Sequence, residues 1–182
     1  MFGMNPPALP VGLNELGSLT TRGLAAFAAR AARRAMELYR PSTDDERTAA
    51  EYFLNAIDYA DSAARGDASE LPVALLDQLF SLADQVAATA GYAGFAAAHA
   101  ARVGARSIAG AADQTAQLEL IASTFGATRV LYTASGDALE TVINTALRTD
   151  FDALIRLDLG PAATPGQGVD PSPNGPLGPL GR

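Results

Sequence analysis

Cysteine and lysine are both missing from this chain, and His99 is its only histidine. Without cysteine there is no disulfide, no thiolate zinc site and no sulfur nucleophile. That absence fits a reducing compartment. All 13 basic residues are Arg, so lysine is excluded as a Schiff-base or phosphate-binding catalyst. A metal site would need companions for His99, and a catalytic histidine would need a nucleophile and an orienting acid. Embedded in AAAHAA, His99 reads as a packed side chain that one hydrogen bond can satisfy. The Glu-x-x-His pairs of di-iron bundles do not occur, which removes a ferritin-like metal site. Gly91-x-x-Gly94 lacks the Gly-Lys-Ser/Thr of a phosphate loop, and Ser135-Gly136 has no G-x-S-x-G context. The sequence therefore predicts no cofactor, no metal and no enzymatic activity.

Long apolar runs are also scarce. The longest uncharged stretch, Gln85 to Ala101, is mostly Ala and Gly, too weakly apolar for a membrane span. The opening MFGMNPPALPVG carries no positive charge ahead of an apolar run and is broken by prolines, so no signal peptide is expected. A soluble cytoplasmic protein with no membrane contact follows as the expectation.

What is present is alanine-rich and acidic. Of the 182 residues, 48% are apolar but only 7% aromatic, so alanine must do much of the core filling of one domain. The net charge of −7 argues against nucleic acid as the main ligand. Its distribution is uneven. Residues 1–40 carry five Arg against Glu15 and Glu37, whereas residues 41–80 carry nine acids against Arg47 and Arg65.

The clearest helix lies in that acidic segment, between Pro41 and Gly66. Thr43 with Glu46 predicts a capping box, Asp44 and Asp45 complement the positive end of the helix dipole, and Gly66 is a natural stop. Ala49, Phe53, Ile57, Ala60 and Ala64 form one apolar row, with Tyr52, Ala56, Tyr59 and Ala63 beside it. The opposite face carries Glu51, Asn55, Asp58 and Ser62, with Asp61 at its edge. Such an acidic stripe is ordinary solvated surface or a docking strip for a basic partner. It has no pocket to raise a pKa, so acid–base catalysis is not expected from it.

The remaining chain reads as more helix. Residues 1–17 are rich in Pro and Gly and are expected to be flexible and loosely packed. A helix is predicted over Leu19–Arg40, with Leu24, Phe27, Ala31, Ala35 and Leu38 buried and Arg22, Arg30 and Arg33 outward. The cluster Arg30, Arg33 and Arg34 is expected to be a solvated face, with a site for a phosphate or a partner carboxylate as the alternative. Further helices are predicted from Ser69 to about Thr89, from Gly91 to Gly110 and from Ala112 to Thr124. Leu75, Leu76, Leu79 and Leu82 are predicted to face inward, as is Leu118. Residues 126–134 favour strand on propensity, but a lone strand has nothing to pair with, so helix is preferred. Asp137 and Glu140 predict a helix to Arg148 with Leu139, Val142, Ile143 and Leu147 buried, and Thr149 or Asp150 then caps a short last helix. The fold class is all-α: a single bundle-like domain of six or seven helices over residues 18–160, followed by an extended or disordered Pro/Gly-rich tail, 161–182. The tail is expected to be mobile or laid on the surface through Leu177 and Leu180, and its deletion from residue 165 to leave thermal stability nearly unchanged.

Four stretches carry a family resemblance: ARRAMELY (Ala32–Tyr39), PSTDDER (Pro41–Arg47), ADSAARG (Ala60–Gly66) and AAAHAAR (Ala96–Arg102). Over residues 24–105 the chain resembles an all-helical family of immunity proteins from bacterial polymorphic-toxin systems. The family's later helices are usually richer in His than this chain. The resemblance implies binding and neutralisation of a cognate toxin domain without catalysis. The stripe then supplies the candidate contacts with a basic toxin domain: Asp44, Asp45, Glu51, Asp58 and Asp61. Two other classes of reading stay open. One is a cargo or adaptor protein docking through a tail peptide at Leu177, Leu180 and Arg182. The other is a small-molecule-binding helical regulator with a pocket lined by Tyr52, Tyr59, Phe53 or Phe95.

Overall fold

The computed structural model describes residues 9–86, 88–109, 114–159 and 167–180. It is a single all-α domain, with no strand among the described residues. The helices are α1 (Leu13–Leu16), α2 (Thr21–Leu38), α3 (Asp44–Arg65), α4 (Val73–Gln85), α5 (Ala88–Ala109), α6 (Gln114–Ser135) and α7 (Glu140–Leu159), the last preceded by a 3-10 turn at Asp137–Leu139.

Local chemistry places the ends of α3 where the sequence predicts them. Thr43 Oγ1 accepts from Glu46 N–H at 3.2 Å, and Glu46 Oε2 accepts from Thr43 N–H at 3.3 Å, which closes the capping box. Hydrogen bonds from Ser42 also hold the Glu46 carboxyl below its ordinary pKa. Gly66 ends the helix at φ 87°, a left-handed conformation that a side chain would strain. α2 starts at Thr20, whose Oγ1 accepts from Gly23 N–H. Thr20 N–H and Oγ1–H both donate to Asp158 of α7, at 3.0 and 2.8 Å.

α2 and α5 form the centre. α2 packs against α3, α5, α6 and α7, while α5 packs against α2, α3, α4 and α6. Small residues make this close packing feasible. Ala25, Ala28, Ala29, Ala32 and Ala35 of α2 and Ala96, Ala97, Ala100 and Ala101 of α5 are all buried. At Gly94 a Cβ would lie 2.8 Å from Ala83 Cβ and run into the Phe53 ring, so only glycine lets α5 meet α3 and α4 there. Phe27, Phe53, Leu16, Leu24, Ile57 and Leu154 supply the bulk of the core.

Residues 126–134 are helical, as preferred, and form the C-terminal part of α6. Three expectations change. α7 runs unbroken past Thr149 and Asp150, because a residue able to cap does not end a helix that holds no Pro or Gly. The leading segment is not loosely packed over its described part, since Val11 and Leu16 are fully buried. Leu75 of α4, Leu118 of α6, Leu139 and Val142, expected inside, are exposed; for the last two, the apolar row that α7 buries is the narrow one of Ile143, Leu147, Phe151 and Leu154.

The largest correction concerns the basic cluster of α2. Arg30 and Arg34 are 1% and 4% exposed, not solvated. Asp150 of α7 sits between them, with Arg30 Nη2 at 2.9 Å from Oδ1 and Arg34 Nη1 paired to Oδ2. Main-chain carbonyls of residues 171–180 accept from both guanidiniums, while Arg30 Nε is left buried without a partner. Arg30 donates to Pro171 O, Gly178 O and Pro179 O at 3.0–3.2 Å. Arg34 donates to Leu180 O from Nε at 3.0 Å and from Nη2 at 2.7 Å. Residues 167–180 form no helix or strand. They lie across α2 and α7 as a strap, with Val169 and Leu180 buried and Val169 N–H donating to Ala64 O at 2.9 Å.

Candidate functional site

The acidic stripe does not survive as one surface. Asp44, Asp45, Glu51 and Asp58 are exposed, but Asp61 is buried. It pairs with Arg33 of α2, which also donates to Asp58 Oδ1 at 3.3 Å. Burial raises the Asp61 carboxyl above its ordinary pKa, and the Arg33 charge opposes that shift. Asp61 therefore joins α3 to α2 and is not available to a partner. Asp44 pairs with Arg47 one turn on. Glu51 makes no ion pair among the described residues. Asp44, Glu51 and Asp58, each seven residues from the next, form one line along α3.

That line runs beside a groove. Both α3 and α4 rest on α5, but they touch each other only sparsely, and a cleft of about 500 Å³ opens between them. The α3 wall carries Tyr52, Asn55 and Tyr59, and the α4 wall carries Leu71, Leu75, Gln78, Leu79 and Leu82. Glu51 and Asp58 precede Tyr52 and Tyr59, which sets them about 100° round α3 from the lining tyrosines, on the flank of the wall and outside the lining itself. Tyr59 OH donates to Ser69 O at 3.0 Å, which fixes one lip to the α3–α4 connection. Tyr52 is 57% and Leu75 44% exposed. No lining residue is charged.

Of the pocket residues predicted from sequence, Tyr52 and Tyr59 do line the groove, whereas Phe53 is fully buried and Phe95 packs against the core. The α4 wall was missed. Its signal was present, since Leu75, Leu79 and Leu82 form a leucine row beside Leu76 and Ala83. The apolar arc is thus wider than one packing face needs.

His99 lies apart from the groove opening, on α5. It meets the Phe80 ring edge-on at 5.2 Å, Arg102 lies over the same ring, and a Cβ on Gly126 of α6 would fall 2.8 Å from its Cε1. Burial, with the Arg102 charge adding to it, lowers its pKa to about 4, so the imidazole is neutral at pH 7. A smaller cavity of about 320 Å³ lies between α7 and the strap, over Arg34 and Asp150 and lined by Thr141, Thr145 and Thr149. Leu180, a candidate for tail docking, is buried at its edge, Leu177 is partly buried, and Arg182 lies outside the described residues. No helix among the described residues is long and apolar enough to cross a membrane. Among the same residues no three His, Asp or Glu side chains are grouped as metal ligands.

Compared with protein-family models, curated proteins and solved structures, the chain matches none.

Proposed function

We propose that this chain is a non-catalytic cytoplasmic binding protein of the immunity type, which neutralises a cognate bacterial toxin by docking a basic surface of it on the α3–α4 face. What carries the reading is one juxtaposition: the acidic line Asp44–Glu51–Asp58 borders an exposed apolar groove. Apolar burial supplies affinity, and opposite charge speeds encounter and orients the partner. The motif resemblance over residues 24–105 supplies the biological context. The test is co-expression with the product of the neighbouring gene. Growth rescue and co-purification are expected. A neighbour that is harmless alone and does not bind overturns the reading.

A second reading, a small-molecule regulator, draws support from the groove volume of about 500 Å³, which lies in the range of ligand sites. Tail docking draws none from Leu180, whose carbonyl is already held by Arg34.

A further inference from the structure

We infer that the α3–α4 groove is the seat of one amphipathic α-helix of a partner, carrying Arg along the edge that meets α3. The inference rests on the partner-binding reading and adds the partner's secondary structure and charge.

The walls specify a helix. On α4 the groove is lined at residues 75, 78, 79, 81, 82 and 85, and on α3 at residues 52, 55, 56 and 59; steps of three and four residues run through both sets, as in 75, 78, 82, 85 and 52, 55, 59. These alternating three- and four-residue steps are the seams that one helix presents to another. Two such seams, splayed and both supported by α5, leave the place that a further helix of the bundle would fill. α4 from Val73 to Gln85 runs about 18 Å, the length of a helix of three to four turns.

None of residues 1–182 is left over to fill it as a helix, since the segments outside the described residues are eight residues or shorter. A second copy is disfavoured by charge, because α3 exposes Asp44, Asp45, Glu51 and Asp58 along this edge, and like charges would face each other. The same line specifies a basic partner. Its heptad spacing is that of flank positions beside a helix–helix seam, where opposite charges set partner choice. Arg47 and Arg33 already pair Asp44 and Asp58, so Glu51, at the middle, and Asp45, at the start of α3, are the charges left to meet a partner's Arg. Val73 provides a control, being 72% exposed on α4 but outside the groove.

The test uses the full chain and synthetic peptides of about 18 residues, with Leu at alternating three- and four-residue steps and Arg along one flank. Binding is read by fluorescence anisotropy at two salt concentrations, with circular dichroism of each variant. The Arg peptide is expected to bind. Leu75→Glu and Tyr52→Ser, one on each wall, should each weaken it by about tenfold or more. Glu51→Arg should weaken it by about threefold, less so at high salt. Val73→Glu should leave it unchanged. The inference is overturned if no peptide binds, if a Glu-for-Arg or proline-interrupted peptide binds equally, or if both wall variants bind like the parent. Concentration-dependent dimerisation lost in Leu75→Glu would instead assign the groove to a second copy and likewise overturn it. Peptide binding without toxin neutralisation removes the immunity reading and leaves the groove. Neutralisation that survives both wall variants removes the groove and leaves the immunity reading.

Discussion

Arg30 Nη2 lies 2.9 Å from Asp150 Oδ1, and neither side chain exposes more than 3% of its surface. Among the described residues Asp150 is the only carboxylate paired with two buried guanidiniums, since Arg34 takes its second oxygen. Asp150→Asn keeps the shape but leaves two buried cations without an anion. It is expected to destabilise the fold by about 3–5 kcal/mol, the usual cost of breaking a buried pair. Urea denaturation of the variant measures this.

The strap makes a related prediction, opposite to the one drawn from its composition. A chain ending at residue 166 loses the Pro171, Gly178, Pro179 and Leu180 carbonyls that accept from Arg30 and Arg34. A loss of about 3 kcal/mol or more is expected, because charged donors are left buried and unsatisfied. An unchanged denaturation midpoint would show that α2 and α7 hold the arginines alone.

Charge reversal should separate the two parts of the acidic stripe. Glu51→Arg alters only exposed surface and should change stability by no more than about 0.5 kcal/mol. Asp61→Arg places a second guanidinium against Arg33 in a buried site and should cost about 3 kcal/mol or more. A triple reversal that included Asp61 would confuse loss of fold with loss of binding, so Glu51 and Asp58 are the residues with which to test docking.

His99 sets a pH dependence. Its pKa falls from 6.5 to about 4 on folding, so the unfolded chain takes up the proton first as the pH drops. Its contribution to stability is full above pH 6.5, declines between pH 6.5 and about 4, and is flat below that. The total is about 3 kcal/mol. Asp61 titrates with the opposite sign, because its raised folded pKa makes the native state bind the proton first. The His99 contribution is therefore read as the difference between the parent and His99→Leu, whose stability should lack the decline over this range.

The helices were legible where a local pattern sufficed. Thr43, Glu46 and Gly66 specify the ends of α3 through groups within a few residues of one another, and the small residues of α5 announce close packing. The surroundings of α2 were not legible. A 3.6-residue period identifies one buried face and assigns arginines to the other. Here the other face is covered by α7 and by residues 167–180, and main-chain carbonyls leave no side-chain signature. The groove was half legible. Tyr52 and Tyr59 form a second apolar row on α3, but whether that row is covered depends on how far α4 splays from it, and no residue of α3 encodes that.

Arg30 donates to main-chain oxygens 141 to 149 positions further along the chain. During synthesis α2 emerges long before α7 and the strap exist, so its guanidiniums must stay hydrated while α3 to α6 are made. The face of α2 that carries Arg30 and Arg34 cannot be covered as it is here until residues 167–180 are available, because the contacts that seal it are of very long sequence separation.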